Sequence, residues 1–517
     1  MDLFIEKALI VNGVGSPAFE ANIGIKKDRI VYIGKEKYSA RRIIKAKELI
    51  LSPGFIDTHS HSDFTILAEP SAEGKITQGI TTEINGNCGV SGFPMFGEVF
   101  ERRLSEINQL GLKPWNEFQQ YIDLLKKACP SINFVTLCGH GNIRGYVIGY
   151  KNLKAQKKEI NKMKKILKSH LVMGVKGLST GLIYPPGIFA DTEELIELAK
   201  TLKPFKGIYA THMRSEGERL LSAVEEAILI GMKAGIPVHI SHLKTSGKEN
   251  WWKLSSVFEI IEKAQNQGVR VTADRYPYIA SQTDLDAFLP SWIIEGSRDE
   301  IMQRLKNKNV RHQIKKYLKQ RGVEFLNSLL ISDVAFDGDR ALEGRRLGEL
   351  VDIENASQFI CDLLIRSNLQ VGAIYFGMSE ENLEKILSRP YVMIGTDSSA
   401  RSSKGITRQG KPHPRGFGSF PRFIKRYIFD KKILSLEEAI RKISFLPAKT
   451  FRIEKRGAIK EGYFADIVIF DPAEIEDRAT FEDPFNISKG IKYVIVNGEV
   501  AVIEGSLTGK RSGRVLL

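Results

Sequence analysis

Short apolar runs recur through the middle of the chain, and each finishes in a polar cluster: "GFIDTHSH", "GITTEINGNCG", "NFVTLCGHGNIRG", "GVKGLSTGLIYPPG", "GIYATHMR", "IPVHISHLK", "VRVTADRYPY" and "YVMIGTDSS". Segments of helical period, such as "DTEELIELAKTL", "SEGERLLSAVEEAILIGMKA" and "SSVFEIIEKAQNQ", separate most of them. Alternation of this kind predicts an α/β protein built on a (β/α)8 TIM-type barrel, with buried parallel strands and chemistry at their C-terminal ends. The two ends of the chain read differently. "LFIEKALIVNG", "ANIGIKKDRIVYIG" and "YVIVNGEVAVIEG" carry alternating β-branched residues broken by Gly-containing turns, a hairpin signature. A small β-sandwich domain is therefore expected from residues 1–52 and 450–517, around a barrel over 53–449. The stretch between "DRYPY" and "YVMIGTDSS" is too long for a crossover, which places an inserted subdomain at about 285–345, over the barrel mouth.

A length of 517 residues with 42% hydrophobic content suits a large barrel enzyme with an accessory domain. No run approaches the roughly 20 apolar residues of a membrane span. "MDLFIEKALIVNG" has neither the basic nor the long apolar region of an export signal. Four cysteines are too few for a disulfide framework. The expectation is a cytoplasmic enzyme with no membrane partner; nothing in the sequence sets its oligomeric state. A formal charge of +15 raises nucleic acid as a partner. The lysines, however, crowd helix-like segments such as "KNLKAQKKEINKMKKILKSH", and no basic ribbon interleaved with aromatics accompanies them. A solvated face is expected, no nucleic acid, and a pull on anionic substrates.

The polar clusters carry the chemistry. The first strand offers His59, His61 and Asp63, the second Cys88, the fifth His212, the sixth His242 with His239 before it, and the eighth Asp397. His, Cys and Asp are zinc-binding types, and a barrel brings sequence-distant strand ends onto one face. His59 and His61, two apart in an extended segment, point the same way. His239 and His242, three apart, cannot both face the axis, and His242 lies nearer the strand end. Each residue also has a plain structural reading: a hydrogen-bonded histidine, a small buried thiol, or, for Asp397, a helix N-cap before Ser-Ser. Cys129, Cys138 and Cys361 are expected to be buried hydrophobes, and His140, His170 and His312 structural or surface residues. What favours a site is the coincidence of so many ligand types at the same end of successive strands.

These motifs, with "GLSTGLIYPPG", "SHLKTSG", "DRYPYIAS" and "KPHPRGFGSFPR", resemble the amidohydrolase superfamily and, within it, the D-aminoacylase (N-acyl-D-amino-acid deacylase) branch over nearly the whole chain. The resemblance implies a zinc-dependent amidohydrolase that releases a carboxylic acid and a D-amino acid from a small N-acyl-D-amino acid substrate. It assigns one tightly bound Zn2+ to Cys88, His212 and His242 and a weaker second site to His59 and His61. It also gives the bridging role to Cys88 rather than to a carboxylated Lys176 in the fourth strand. Asp397 would be general base and then general acid. The clamp on the substrate carboxylate maps onto Lys244, Tyr276 and Arg415, with Ser281 and His413 as further pocket candidates. Relatives that prefer acylated D-glutamate carry an arginine after "YPY"; Leu289 falls there in this chain, and Asp284 and Asp286 would repel an acidic side chain, so neutral or apolar D-amino acids are expected. The alternatives are another amidohydrolase reaction, on a D-amino-acid dipeptide or a cyclic amide of hydantoinase or dihydroorotase type, and a non-catalytic barrel scaffold. A scaffold would be expected to lose ligands, and every expected position is filled.

Overall fold

A computed structural model describes residues 1–517. Strands from both ends of the chain share one sheet: Leu3–Ile10, Phe19–Lys26, Arg29–Gly34, Arg42–Lys45 and Ile50–Pro53 join Ile467–Phe470, Ile491–Val496, Glu499–Ile503 and Ser506–Leu507. The seam is the antiparallel pairing of Ile50–Pro53 with Ile467–Phe470. Leu3, Ile5, Ile23, Ile467, Ile469 and Ile495 belong to an apolar cluster of 17 residues that the two termini build together. The nine strands are joined in one hydrogen-bonded sheet that forks. Strand Leu3–Ile10 is the fork. Its register shifts between Ile5 and Ala8, so its first half pairs with Arg42–Lys45 and its end with Ile50 and Leu51. Such an irregularity bends and twists a strand, which lets it serve two neighbours in turn.

The eight apolar runs each form a parallel strand segment. Phe55–Asp57, Ile80–Asn85 and Asn133–Thr136 make one sheet. Cys138–Gly139, Gly177–Gly181, Ile208–His212, Val238–Ile240, Val271–Arg275 and Val392–Ile394 make the next. The two are continuous in the chain across Leu137, whose N–H donates to Asn85 O at 2.9 Å. At the other edge Thr58 Oγ1 donates to Ile394 O at 2.9 Å, and Ser60 bridges Ser398 in parallel. Both faces of these strands are buried, and their sequences therefore lack alternation. Helices Thr192–Lys200, Leu220–Ala234 and Leu254–Asn266 return the chain between strands and pack into a 77-residue apolar cluster. In helix Lys157–Val172 only Met163, Leu167, His170 and Leu171 are buried, and most of its lysines are exposed, as the periodicity predicts.

A three-stranded antiparallel sheet, ordered Ser281–Asp284, Val371–Tyr375, Leu329–Val334, carries its own 20-residue apolar cluster with helices Arg298–Lys306, Lys308–Arg321 and Ala356–Arg366. The elements of this sheet and cluster lie between residues 281 and 375, because the central strand comes last in the chain. No helix of the chain is long and apolar enough to cross a membrane.

His170 has a structural role. Its Nδ1 lies 3.3 Å from Cys138 Sγ and its ring packs against Phe93 and Phe118. Burial lowers its pKa to about 4. The unfolded chain therefore takes up a proton near the ordinary 6.5 while the folded one does not, so this residue's contribution is complete above 6.5 and is lost as pH falls towards 4. Replacement His170→Phe should flatten that part of the acid limb, by up to about 3 kcal/mol. Thermal melts of both proteins between pH 4 and 7 would check this; parallel limbs would contradict it.

Candidate functional site

Three loops after strands turn through left-handed backbone at the residues singled out by the sequence: φ is 51° at Cys88, 37° at His242 and 49° at Asp397. Non-glycine residues rarely take such angles, at a cost of about 1–3 kcal/mol each, and do so where the surroundings dictate side-chain direction. Gly89, at φ 77°, is required beside Cys88, since a Cβ there would lie 2.7 Å from the Gly181 backbone nitrogen. The turns bring Cys88 Sγ to 3.3 Å from His59 Nε2 and 3.4 Å from His242 Nε2. Donor atoms of Cys88, His212 and His242 lie within 4.8 Å of one another, as do those of His59, His61 and Cys88. All five belong to one group, and Cys88 is common to both halves.

The electrostatics suit a cation. Burial raises the Cys88 thiol, but the imidazoles of His59 and His242 outweigh it and hold it well below its usual range, as thiolate. Burial opposes charge on His61, yet Asp397 and Cys88 raise it to about 9. Both ring nitrogens of His212 are buried and make no hydrogen bond. Buried imidazole nitrogens are normally paired, so this orphan beside a thiolate and a second imidazole fits a divalent metal of nitrogen and sulfur preference.

Two carboxylates that the sequence reading passed over hold the imidazoles. Asp274 Oδ2 is 3.1 Å from His59 Nδ1 and 2.7 Å from His239 Nε2, and its Oδ1 accepts from the His242 backbone N–H at 2.8 Å. Despite burial, His59 and His239 keep Asp274 far below the usual carboxylate range. Glu216 Oε1 lies 2.8 Å from His242 Nδ1 and pairs with Lys244 Nζ. The signals were a carboxylate inside a buried strand, in "TADRY", and one four residues after His212, in "THMRSEGE".

Asp397 is the hub in the loop after the eighth strand. Its Oδ1 is 3.1 Å from His61 Nε2 and its Oδ2 is 2.9 Å from Arg415 Nη1. Burial is outweighed by Arg415 and His59, and the carboxyl stays well below its ordinary value. No helix starts near it; the next begins at Arg415, so the N-cap reading is excluded. Beneath, the buried Lys75 Nζ donates to Asp57 Oδ2 at 2.7 Å, Thr396 Oγ1 at 2.6 Å and Ser398 O at 2.7 Å, tying the first strand to the segment that bears Asp397.

A cleft of about 1370 Å³ opens over this floor, between the strand ends and the insertion. Lys244, Tyr276, Ser281 and Arg415 line it with Cys88, His212, His242 and Asp397. Arg415 Nε and the Tyr276 hydroxyl are buried without partners. The Arg415 guanidinium stacks 4.6 Å over the Tyr276 ring, and its backbone N–H donates to His413 Nδ1 at 3.0 Å. His413 Nε2 donates to Ala280 O, and burial and Arg415 keep the ring neutral, so it supports Arg415 from behind.

Several expectations change. Asp63 is not among the donors; it accepts the backbone N–H groups of Gly86 and Gly92, each at 3.2 Å, and steadies the loop that carries Cys88. Lys176 precedes strand Gly177–Gly181, among Arg452 and Glu454, at the strand's opposite end from Cys88. Leu289 is in the insertion's apolar core rather than on the cleft wall. Asp284 and Asp286 do line the cleft, and so do Arg102, Arg103 and Arg298. Cys129 is exposed, whereas Cys138 and Cys361 are buried. His140 is paired with Glu194 at 2.8 Å and His312 is exposed.

Residues 42–314 and 393–502 match the model of the amidohydrolase family. Over 516 residues the chain is 33% identical to D-aminoacylase from Alcaligenes xylosoxydans xylosoxydans, spanning 100% of this chain and 97% of that protein. It is 32% identical to N-acyl-D-glutamate deacylase from the same organism, over 100% and 96% of the two chains. The structure superposes with a TM-score of 0.83, at 30% identity and over 100% and 99% of the chains, on N-acyl-D-glutamate deacylase from Bordetella bronchiseptica complexed with zinc and a phosphonate that mimics the tetrahedral intermediate.

The buried cation under Asp397 yields a prediction. Lys75→Met leaves Asp57 and Glu83 buried without it, and should lower stability by about 3–5 kcal/mol. Urea unfolding measures the loss; a change under 1 kcal/mol would mean that the network is not held by charge.

Proposed function

Because the chain belongs to the amidohydrolase family, in its D-aminoacylase group, we propose that it hydrolyses the amide bond of N-acyl-D-amino acids, releasing a carboxylic acid and a D-amino acid. What carries the reading is the meeting of Cys88, His212 and His242 beside Asp397 on the floor of one cleft. We read the eight parallel segments as a closed (β/α)8 barrel whose C-terminal rim is that floor. Cys88, His212 and His242 would hold one Zn2+ tightly, and His59 and His61, with Cys88, a weaker second ion. When bound, the metal supplies Lewis acidity at the scissile carbonyl and makes water acidic enough to ionise near neutral pH.

The chain's own groups do the rest. Asp397, ionised at neutral pH because Arg415 and His59 stabilise its charge, takes a proton as a water oxygen bonds to the carbonyl carbon. It returns that proton to the amide nitrogen as the C–N bond breaks, so the amine leaves neutral. Arg415 Nε, the Tyr276 hydroxyl and Lys244 Nζ are donors for the substrate's α-carboxylate, with Ser281 at the wall. The position of Lys176 argues against a lysine-bridged centre of the kind a cyclic-amide hydrolase would use. Acidic and basic residues share the cleft wall, so the preference for neutral or apolar side chains rests on Asp284 and Asp286 facing the substrate, no longer on Leu289.

Assays of purified protein with N-acetyl-D-Leu, -D-Glu and -D-Asp and their L-enantiomers, reading released amine, test the reaction. The expected order puts D-Leu first and L-substrates near zero; turnover of D-Glu without D-Leu would reverse the side-chain preference. Asp397→Asn should retain zinc and lose a factor of about 10²–10⁴ in kcat. Turnover near that of the parent would remove Asp397 from the mechanism.

A further inference from the structure

Glu216 stands on a loop held by hydrogen bonds to its carbonyls. Ser246 N–H donates to its backbone carbonyl at 2.7 Å, and Lys253 Nζ holds the next two carbonyls, of Gly217 and Glu218, at 3.1 and 2.6 Å. Its carboxylate lies beside one atom for which two groups compete, as an ion-pair contact to His242 Nδ1, while Lys244 Nζ makes the hydrogen bond there. His242 Nδ1 is 2.8 Å from Glu216 Oε1 and 2.9 Å from Lys244 Nζ. An ammonium only donates, so a bond to Lys244 needs Nδ1 as acceptor and puts the imidazole proton on Nε2. A carboxylate only accepts, so a bond to Glu216 needs Nδ1–H and leaves the Nε2 lone pair free. Nε2 is the nitrogen that faces Cys88 Sγ at 3.4 Å. The two tautomers exclude one another, and only the second allows Nε2 to bind a metal.

We propose that Glu216 is a positioning residue that selects the Nδ1–H tautomer of His242 and, by pairing with Lys244, keeps that ammonium from imposing the opposite one. One carboxylate then serves both the metal site and the substrate clamp. The inference rests on the reading of Cys88, His212 and His242 as metal ligands.

Zinc affinity is measured on metal-stripped full-length protein by competition with a chromophoric chelator, with circular dichroism melts to confirm that each variant is folded. Glu216→Leu should bind zinc about 10–100-fold more weakly than the parent. Glu216→Gln, which keeps an acceptor oxygen, should lose less. The double variant Glu216→Leu/Lys244→Met should regain about tenfold over Glu216→Leu, because the competing donor is gone. Affinity within twofold of the parent in Glu216→Leu, or a double variant no tighter than the single, would overturn the inference while the deacylase reading stands. A parent protein that takes up no zinc would overturn both. If Glu216→Leu does not fold, Glu216→Gln with and without Lys244→Met makes the same comparison: a gain supports the competition and no gain refutes it.

Discussion

The site depends first on the carboxylate of Asp274. It lies inside a strand buried on both faces, and it answers three donors from two other elements: the rings of His59 and His239 and the backbone of His242. A buried carboxylate without such partners would be protonated or expelled. With them it stays charged and makes the positions of the first, sixth and seventh strands interdependent. This one group anchors the His59 imidazole from behind and fixes the backbone of the turn that carries His242, which is how a donor cluster keeps its geometry.

The same economy recurs around it. Lys75 joins Asp57 to Thr396 and Ser398 below the floor of the cleft, and His413 backs Arg415 through its neutral ring. Left-handed backbone at Cys88, His242 and Asp397 is tolerated because the neighbouring strands over-determine these turns. The stability cost is concentrated where the chemistry needs the side chains to point, and the 77-residue apolar cluster around it offsets that cost. Above the floor, the insertion brings its own core and sheet, so it can shape the cleft without disturbing the strands beneath.

In the proposed mechanism, Arg415 and Lys244 would couple the clamp to the reactive groups. Each is already paired with a carboxylate, Asp397 in one case and Glu216 in the other. On the proposed clamp, an incoming α-carboxylate would meet cations whose charge is partly answered and would use the free Arg415 Nε together with the neighbouring Tyr276 hydroxyl. Recognition then depends on hydrogen-bond direction as well as on charge, the property for which guanidinium is suited.

Much of this was legible along the chain. The eight parallel segments, the two-ended sheet and the Cys, His and Asp positions at strand ends follow from local pattern, since period and burial are written in neighbouring residues. The fork in the terminal sheet, the strand order of the insertion and the burial of Leu289 were not, because pairing partners and core membership are set by residues distant in sequence. The supporting charged groups are hidden for the same reason. Asp274, Glu216 and Lys75 lie 215, 26 and 321 residues from His59, His242 and Thr396, the groups they hold. Sequence by itself determined which ligand types exist and at which end of which strand; only the tertiary structure decided which imidazole nitrogens are occupied and which are free, since that is set by partners that folding alone brings into hydrogen-bond range.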